Sequence, residues 1–164
     1  MTTALWTART LPPRTPEVSA VWEWAMSAVS DITALRARLR EEVVRAGSVD
    51  DDVERLLLAF EELTSNGIRH GGAPVRVTVT ATAASWLIDV SDSAVDSPPT
   101  PAVGRDAAEG GLGLYLVARL CSAHGWTVRG DRKHVWARVQ RVPPTTLPTT
   151  RPLVRPRRAE HQHH

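Results

Sequence analysis

The 164-residue chain lacks several features that would each have pointed to a function. It has one cysteine, Cys121, which excludes an intramolecular disulfide and a cysteine-rich zinc site. Cys121 reads as a small buried hydrophobe on a helix, and the cysteine usage sets the expectation of a reducing, cytoplasmic location. It has one lysine, Lys133, with no Gly-x-x-x-x-Gly-Lys before it, so a P-loop nucleotide site is absent. No apolar run reaches the roughly 18 residues that a membrane-spanning helix needs. The first residues, Met1-Thr-Thr-Ala-Leu-Trp-Thr-Ala-Arg9, lack the apolar core of a signal peptide.

A basic body is missing too. The net charge of +2 and pI of about 9.3 suggest a nucleic-acid binder. From Arg141 onward, however, five arginines face one acid, so the tail carries +4 and residues 1–140 carry −2. Direct nucleic-acid binding by the folded body is therefore not expected, because it would need a basic patch there.

What is present is a composition 42% hydrophobic and 23% charged, suited to one globular domain. Residues 1–17 hold Pro12, Pro13 and Pro16 with no apolar period and read as a flexible arm. Residues 141–164 carry five prolines among Thr, Arg and His and read as a disordered, solubilising tail. The domain is expected over residues 18–140.

Within it, Val21 to Ala28 reads as a strand. Ser30 and Asp31 supply N-cap chemistry for a helix running to about Ala46 and stopped by Gly47. Asp50, Asp51 and Asp52 suit the positive end of a second helix. Its apolar residues Val53, Leu56, Leu57, Phe60, Leu63 and Ile68 follow a 3.6 period up to Gly71-Gly72. Val75, Val77 and Val79 alternate with polar residues as a half-buried strand, and Trp86 to Val90 pairs with it as a hairpin. After a loop holding Pro98, Pro99 and Pro101, Gly110-Gly111-Leu112-Gly113 opens a third helix to about Ala123. Trp126 to Arg129 and His134 to Val139 form a closing hairpin across Gly130-Asp131. The fold class is α/β: an α+β two-layer sandwich whose mixed, mostly antiparallel sheet has its helices on one face.

Three features carry chemistry. Glu62, Asn66 and His70 are spaced i, i+4, i+8 and stack along one helix face. A solvated polar face would give the same spacing. Yet asparagine is a mediocre helix former, and Gly67 beside it costs about 1 kcal/mol against alanine. A carboxylate and an amide oxygen one turn apart suit a general base beside a divalent ion. Glycines at 110, 111 and 113 let backbone approach phosphate oxygens at a helix start, or simply form a tight entry loop. Asp92 closes a strand just before the Pro-rich loop, a place where aspartate usually serves a turn. A zinc site on His70 and His124 lacks a third ligand.

Taken in order, Glu62-x-x-x-Asn66, Val90-Ser-Asp92 and Glu109-Gly-Gly-Leu-Gly-Leu114 resemble the nucleotide-binding boxes of the histidine-kinase, gyrase and chaperone ATPase superfamily, with its Bergerat ATP-binding fold. Ala59-Phe-Glu-Glu-Leu-Thr-Ser-Asn-Gly-Ile-Arg-His-Gly71, Gly113-Leu-Tyr-Leu-Val117, His124-Gly-Trp126 and Lys133-His-Val-Trp136 are similar to its anti-sigma-factor serine kinase branch. The resemblance implies ATP and Mg²⁺ as cofactors. Glu62 would be the general base and Asn66 the Mg²⁺ ligand. Asp92 would bind the adenine amino group, and Gly110, Gly111, Leu112, Gly113 and Leu114 the phosphates. His70, Ala94 and His134 would complete the nucleotide surroundings, with residues 97–109 as a lid. It implies as partners a sigma factor and an antagonist protein phosphorylated on serine, and it alone suggests a homodimer. Three positions depart from the family pattern. Ala94 and Asp96 stand where glycines are usual in the adenine box, and His134 stands where a threonine is usual. Those departures motivate an alternative, a non-catalytic partner-switching adaptor with weak or absent ATP binding.

Overall fold

The computed structural model describes residues 5–72, 74–99 and 112–143. The elements run β1 Ala20–Met26, α1 Ser30–Arg45, α2 Asp50–His70, β2 Val75–Ala81, β3 Ser85–Asp92, α3 Leu112–Leu120, β4 Ala123–Arg129 and β5 Arg132–Gln140. The strands form one sheet in the order β1-β2-β3-β5-β4, every neighbouring pair antiparallel. The parallel component expected of a mixed sheet is confined to an isolated bridge between Ala8 and Trp126.

Strand alternation sends one set of side chains toward the helices. Trp24 and Met26 of β1, Val75, Val77 and Val79 of β2, Trp86, Ile88 and Val90 of β3, and Val135, Ala137 and Val139 of β5 join one core. Helix α2 supplies its other half through Val53, Leu56, Leu57, Ala59, Phe60 and Leu63, the stripe the 3.6 period predicts. Helix α2 lies over β2, β3 and β5, with α1 and α3 packed against it. The expected layers therefore hold: five strands, and three helices on one face.

Local details differ from the sequence expectation. The N-cap of α1 is Val29, with no side-chain cap. Asp31 instead accepts from the Ser27 and Ala28 N–H groups at 3.4 and 3.3 Å, fixing the incoming chain. The C-terminus of α1 is a Schellman motif: Gly47 has φ 85°, and the Ser48 N–H donates to Val43 O at 3.1 Å. Asp52 does more than face a helix dipole. It is buried, pairs with Arg55, and accepts from the Val142 N–H at 2.8 Å, holding the chain that leaves β5. Helix α3 ends at Leu120, three residues early, so Cys121 follows the helix and β4 begins at Ala123.

Residues 5–9, inside the stretch read as an arm, lie against β4. Trp6 is 3% exposed, donates from Nε1 to Leu114 O at 3.2 Å, and meets the His124 ring edge-on at 4.8 Å. The Arg9 N–H donates to Trp126 O at 2.9 Å, and Arg9 O accepts from Trp136 Nε1 at 3.1 Å. Trp136 faces away from the helices, and this contact helps bury it.

Candidate functional site

Helix α2 carries Glu62 into the seam it shares with α3, and Asn66 stands one turn further along the same helix. Both are half-buried, flanking the core residues Leu63 and Gly67, and the Asn66 amide makes no hydrogen bond among the described residues. His70, the third member of the expected face, is exposed at the last position of α2. Gly113, in the first turn of α3, sits so close to Glu62 that a Cβ built on it would overlap the carboxylate. The carboxylate thus reaches across to the N-terminal turn of α3. Partial burial raises the Glu62 pKa above the ordinary carboxylate value; the charge of Glu61 adds to this and Arg69 opposes it. A carboxyl so placed is a better proton acceptor than an exposed one.

The other end of the site lies where α2 meets the end of β3. The glycine at 71 has extended backbone, so its absence of a side chain is a matter of space: a Cβ there would collide with the Asp92 side chain. From Glu62 to Gly71 is nine residues, about 13 Å of helix. Asp92 is 0% exposed. Its Oδ1 accepts from the Ala94 N–H at 2.8 Å, as an aspartate in an Asx turn does, while Oδ2 has no hydrogen-bond partner. The charge beside Oδ2 is Lys133, its Cα partner across the β3–β5 ladder, with Nζ at 3.5 Å.

The three departures from the family pattern, Ala94, Asp96 and His134, take three different surroundings. No non-glycine residue among those described has positive φ, so the alanine at 94 is unstrained. Asp96 is exposed, with no ion pair among the described residues, and its charge is solvated. His134 is not brought to Asp92. Its register on β5 points it to the sheet face away from the helices, where Nδ1 lies 3.0 Å from both carboxylate oxygens of Asp89. The phase of Val135, Ala137 and Val139 puts Lys133, not His134, on the helix side, and that alternation was the available signal.

Gly110, Gly111 and most of the expected lid lie outside the described residues. Leu112 begins α3, and Leu114 is a core residue whose carbonyl receives the Trp6 indole. Among the described residues, no group of three His, Cys, Asp or Glu could hold a metal. A cavity of about 370 Å³ opens on the opposite face, between the sheet and residues 11–18, lined by Arg14, Thr80, Leu87, Asp89 and Arg138 among others. It contains none of the α2 or α3 residues and is separate from this site.

An antiparallel sheet backed by helices, with a carboxylate–amide pair on the central helix and a buried aspartate at a strand end, defines the class of a Bergerat-fold nucleotide-binding domain. The histidine kinase-like ATPase domain family matches residues 26–139, most of the chain, and the protein belongs to that family. Among solved structures, a chain in the crystal structure of the SiaB–SiaC complex from Pseudomonas aeruginosa is similar, with 16% identity and a TM-score of 0.51. The match covers 76% of this chain and 91% of that one. The Acinetobacter baumannii histidine kinase AdeS matches at 12% identity and a TM-score of 0.40, covering 73% of this chain and 67% of that one. A search of curated proteins found no sequence match. No helix among the described residues is long and apolar enough to cross a membrane.

Proposed function

We propose that this chain is an ATP-dependent serine kinase that holds a sigma factor inactive and phosphorylates a small antagonist protein. The observation that carries this is the placement of the Glu62 carboxylate against Gly113, at the start of the helix whose N-terminus would face phosphate. Three features suit bound MgATP. Asp92 Oδ2 is a buried acceptor without a hydrogen bond, fit for an exocyclic amino group. The side-chain-free position at 113 leaves room for the carboxylate. Asn66 offers a single neutral oxygen, which fits Mg²⁺, an ion that keeps water and phosphate oxygens as its remaining ligands.

When bound, MgATP would supply the transferable phosphoryl group, with ADP as the leaving group, and its metal would offset the charge on the phosphates. Glu62 takes the proton of the acceptor serine hydroxyl and holds it on its carboxylate. Asn66 would hold the metal through its amide oxygen, and Asp92 would hold the base. The structural neighbour is a member of a two-protein complex, an arrangement this reading requires. Incubation with radiolabelled MgATP and a binding antagonist protein should label that protein on serine. Glu62→Gln should abolish the label without loss of partner binding. No transfer to an antagonist that binds tightly would sink the kinase reading.

A second reading, a non-catalytic adaptor, is favoured by one observation: the ammonium of Lys133 already stands beside the Asp92 acceptor. Calorimetry with MgATP separates the two. Binding tighter than about 100 μM, some 5 kcal/mol, speaks for the kinase, and no heat speaks for the adaptor.

A further inference from the structure

We infer that Lys133 is a latch on the base end of the site, occupying the acceptor of Asp92 until a nucleotide displaces it; this rests on the nucleotide reading above. Lysine is almost never fully buried unless paired, and this one, the sole lysine of the chain, is 2% exposed. It stands at an inward position of β5, in phase with Val135, Ala137 and Val139, where the pattern calls for an apolar residue.

Among the described residues its ammonium makes two contacts. One is the ion pair with Asp92 Oδ2 at 3.5 Å. The other is a hydrogen bond donated to the Ser97 carbonyl at 2.6 Å. Because Ala94 N–H already takes Oδ1, Oδ2 is the acceptor left for a base, and the ammonium is the donor standing next to it. The bond to Ser97 matters equally. The turn after Asp92 is closed on itself, with Val95 N–H donating to Ser93 O at 3.0 Å and Ser97 N–H to Ala94 O at 3.2 Å. Lys133 ties the far end of that turn back to the strand beneath it.

With Asp92 fully buried, an incoming amino group cannot reach Oδ2 unless Lys133 swings out or the turn lifts. The first movement breaks both ammonium contacts, and the second breaks the bond to Ser97. The lysine therefore imitates the donor of the ligand, and the site binds nucleotide only in the fraction of molecules that are unlatched. Apparent affinity falls in proportion to that fraction.

The sole lysine allows a direct test on the native chain. Brief acylation with an N-hydroxysuccinimide acetate, read by peptide mass mapping, should leave Lys133 largely unmodified, and saturating MgATP should raise its labelling at least about fivefold. In parallel, Lys133→Met should bind MgATP at least about tenfold more tightly than the native chain by calorimetry. If the native chain binds MgATP while Lys133 labelling stays flat or falls, the latch is overturned and the nucleotide reading stands. Weaker or equal binding by a folded Lys133→Met variant has the same meaning. If neither chain binds MgATP, the nucleotide reading itself falls, and the latch with it. Should the variant not fold, the labelling result decides alone.

Discussion

The Glu62 carboxylate occupies the volume that a Cβ at residue 113 would fill. The glycine of the third helix and the acid of the second are thus one structural unit, joined across 51 positions of sequence. A side chain at 113 would move Glu62 and, on the proposed kinase reading, would lower phosphate transfer. Gly113→Ala gains helix propensity, about 1 kcal/mol, and loses a comparable amount to crowding. The melting temperature should stay within a few degrees of the native value while phosphate transfer drops at least about tenfold. A variant with unchanged transfer would show that the position of Glu62 is immaterial.

The raised pKa of Glu62 has two measurable consequences. On the proposed kinase reading transfer needs its ionised form, so activity should rise with pH through a midpoint above 4.5, the ordinary carboxylate value. For stability the sign is opposite. The folded state binds this proton more tightly than the unfolded one, so the contribution of Glu62 is fullest below the unfolded pKa and is lost as pH rises through the folded one. At neutral pH, Glu62→Gln should therefore melt no lower than the native chain, even though transfer is lost. A clear fall in melting temperature would contradict the burial of this carboxyl as the cause of its shift.

Trp6 should prove part of the domain. It is buried against α3 and β4 and bonded to Leu114 O, so Trp6→Ala should cost about 3–5 kcal/mol in urea unfolding. Trp6→Phe, which removes the hydrogen bond and part of the ring volume, should cost less, about 1–3 kcal/mol. Equal and negligible effects would return residues 5–9 to the status of an arm.

Asp52 fastens the exit of β5. Removing it as Asp52→Ala leaves the Val142 N–H and Arg55 without their acceptor. A loss of about 1–3 kcal/mol is expected, reduced toward the lower figure by the partial exposure of Arg55. Hydrogen exchange should show the Val142 amide losing its protection together with that loss.

Much of the site was legible because its signals are local. The i, i+4 spacing of Glu62 and Asn66 survives any folding of the chain, and so does the place of Asp92 at the end of a hydrophobic alternation. The motif alone does not say which sheet face His134 takes; the period of 2 through Val135, Ala137 and Val139 turns it away from the helices. That period puts Lys133 beside Asp92. The exposure of Asp96 depends on which way a turn faces, which no spacing encodes. The N-terminal stretch was unreadable for another reason. The partners of Leu5 and Trp6, His124 and Leu114, lie 119 and 108 residues away.

By itself the sequence determined the order of the elements, the faces they bury, the charge of the tail and the kinship of the three motifs. Each of these is written in periods of 2 and 3.6 or in short spacings, which steric and hydrophobic rules enforce within a few residues. Only the tertiary structure decided that Glu62 meets Gly113, that Gly71 makes room for Asp92, and that the one lysine stands beside Oδ2 of Asp92. Those relations arise from sheet order and register, which bring together residues far apart in sequence at distances where a single methyl group or ammonium changes what the site can hold.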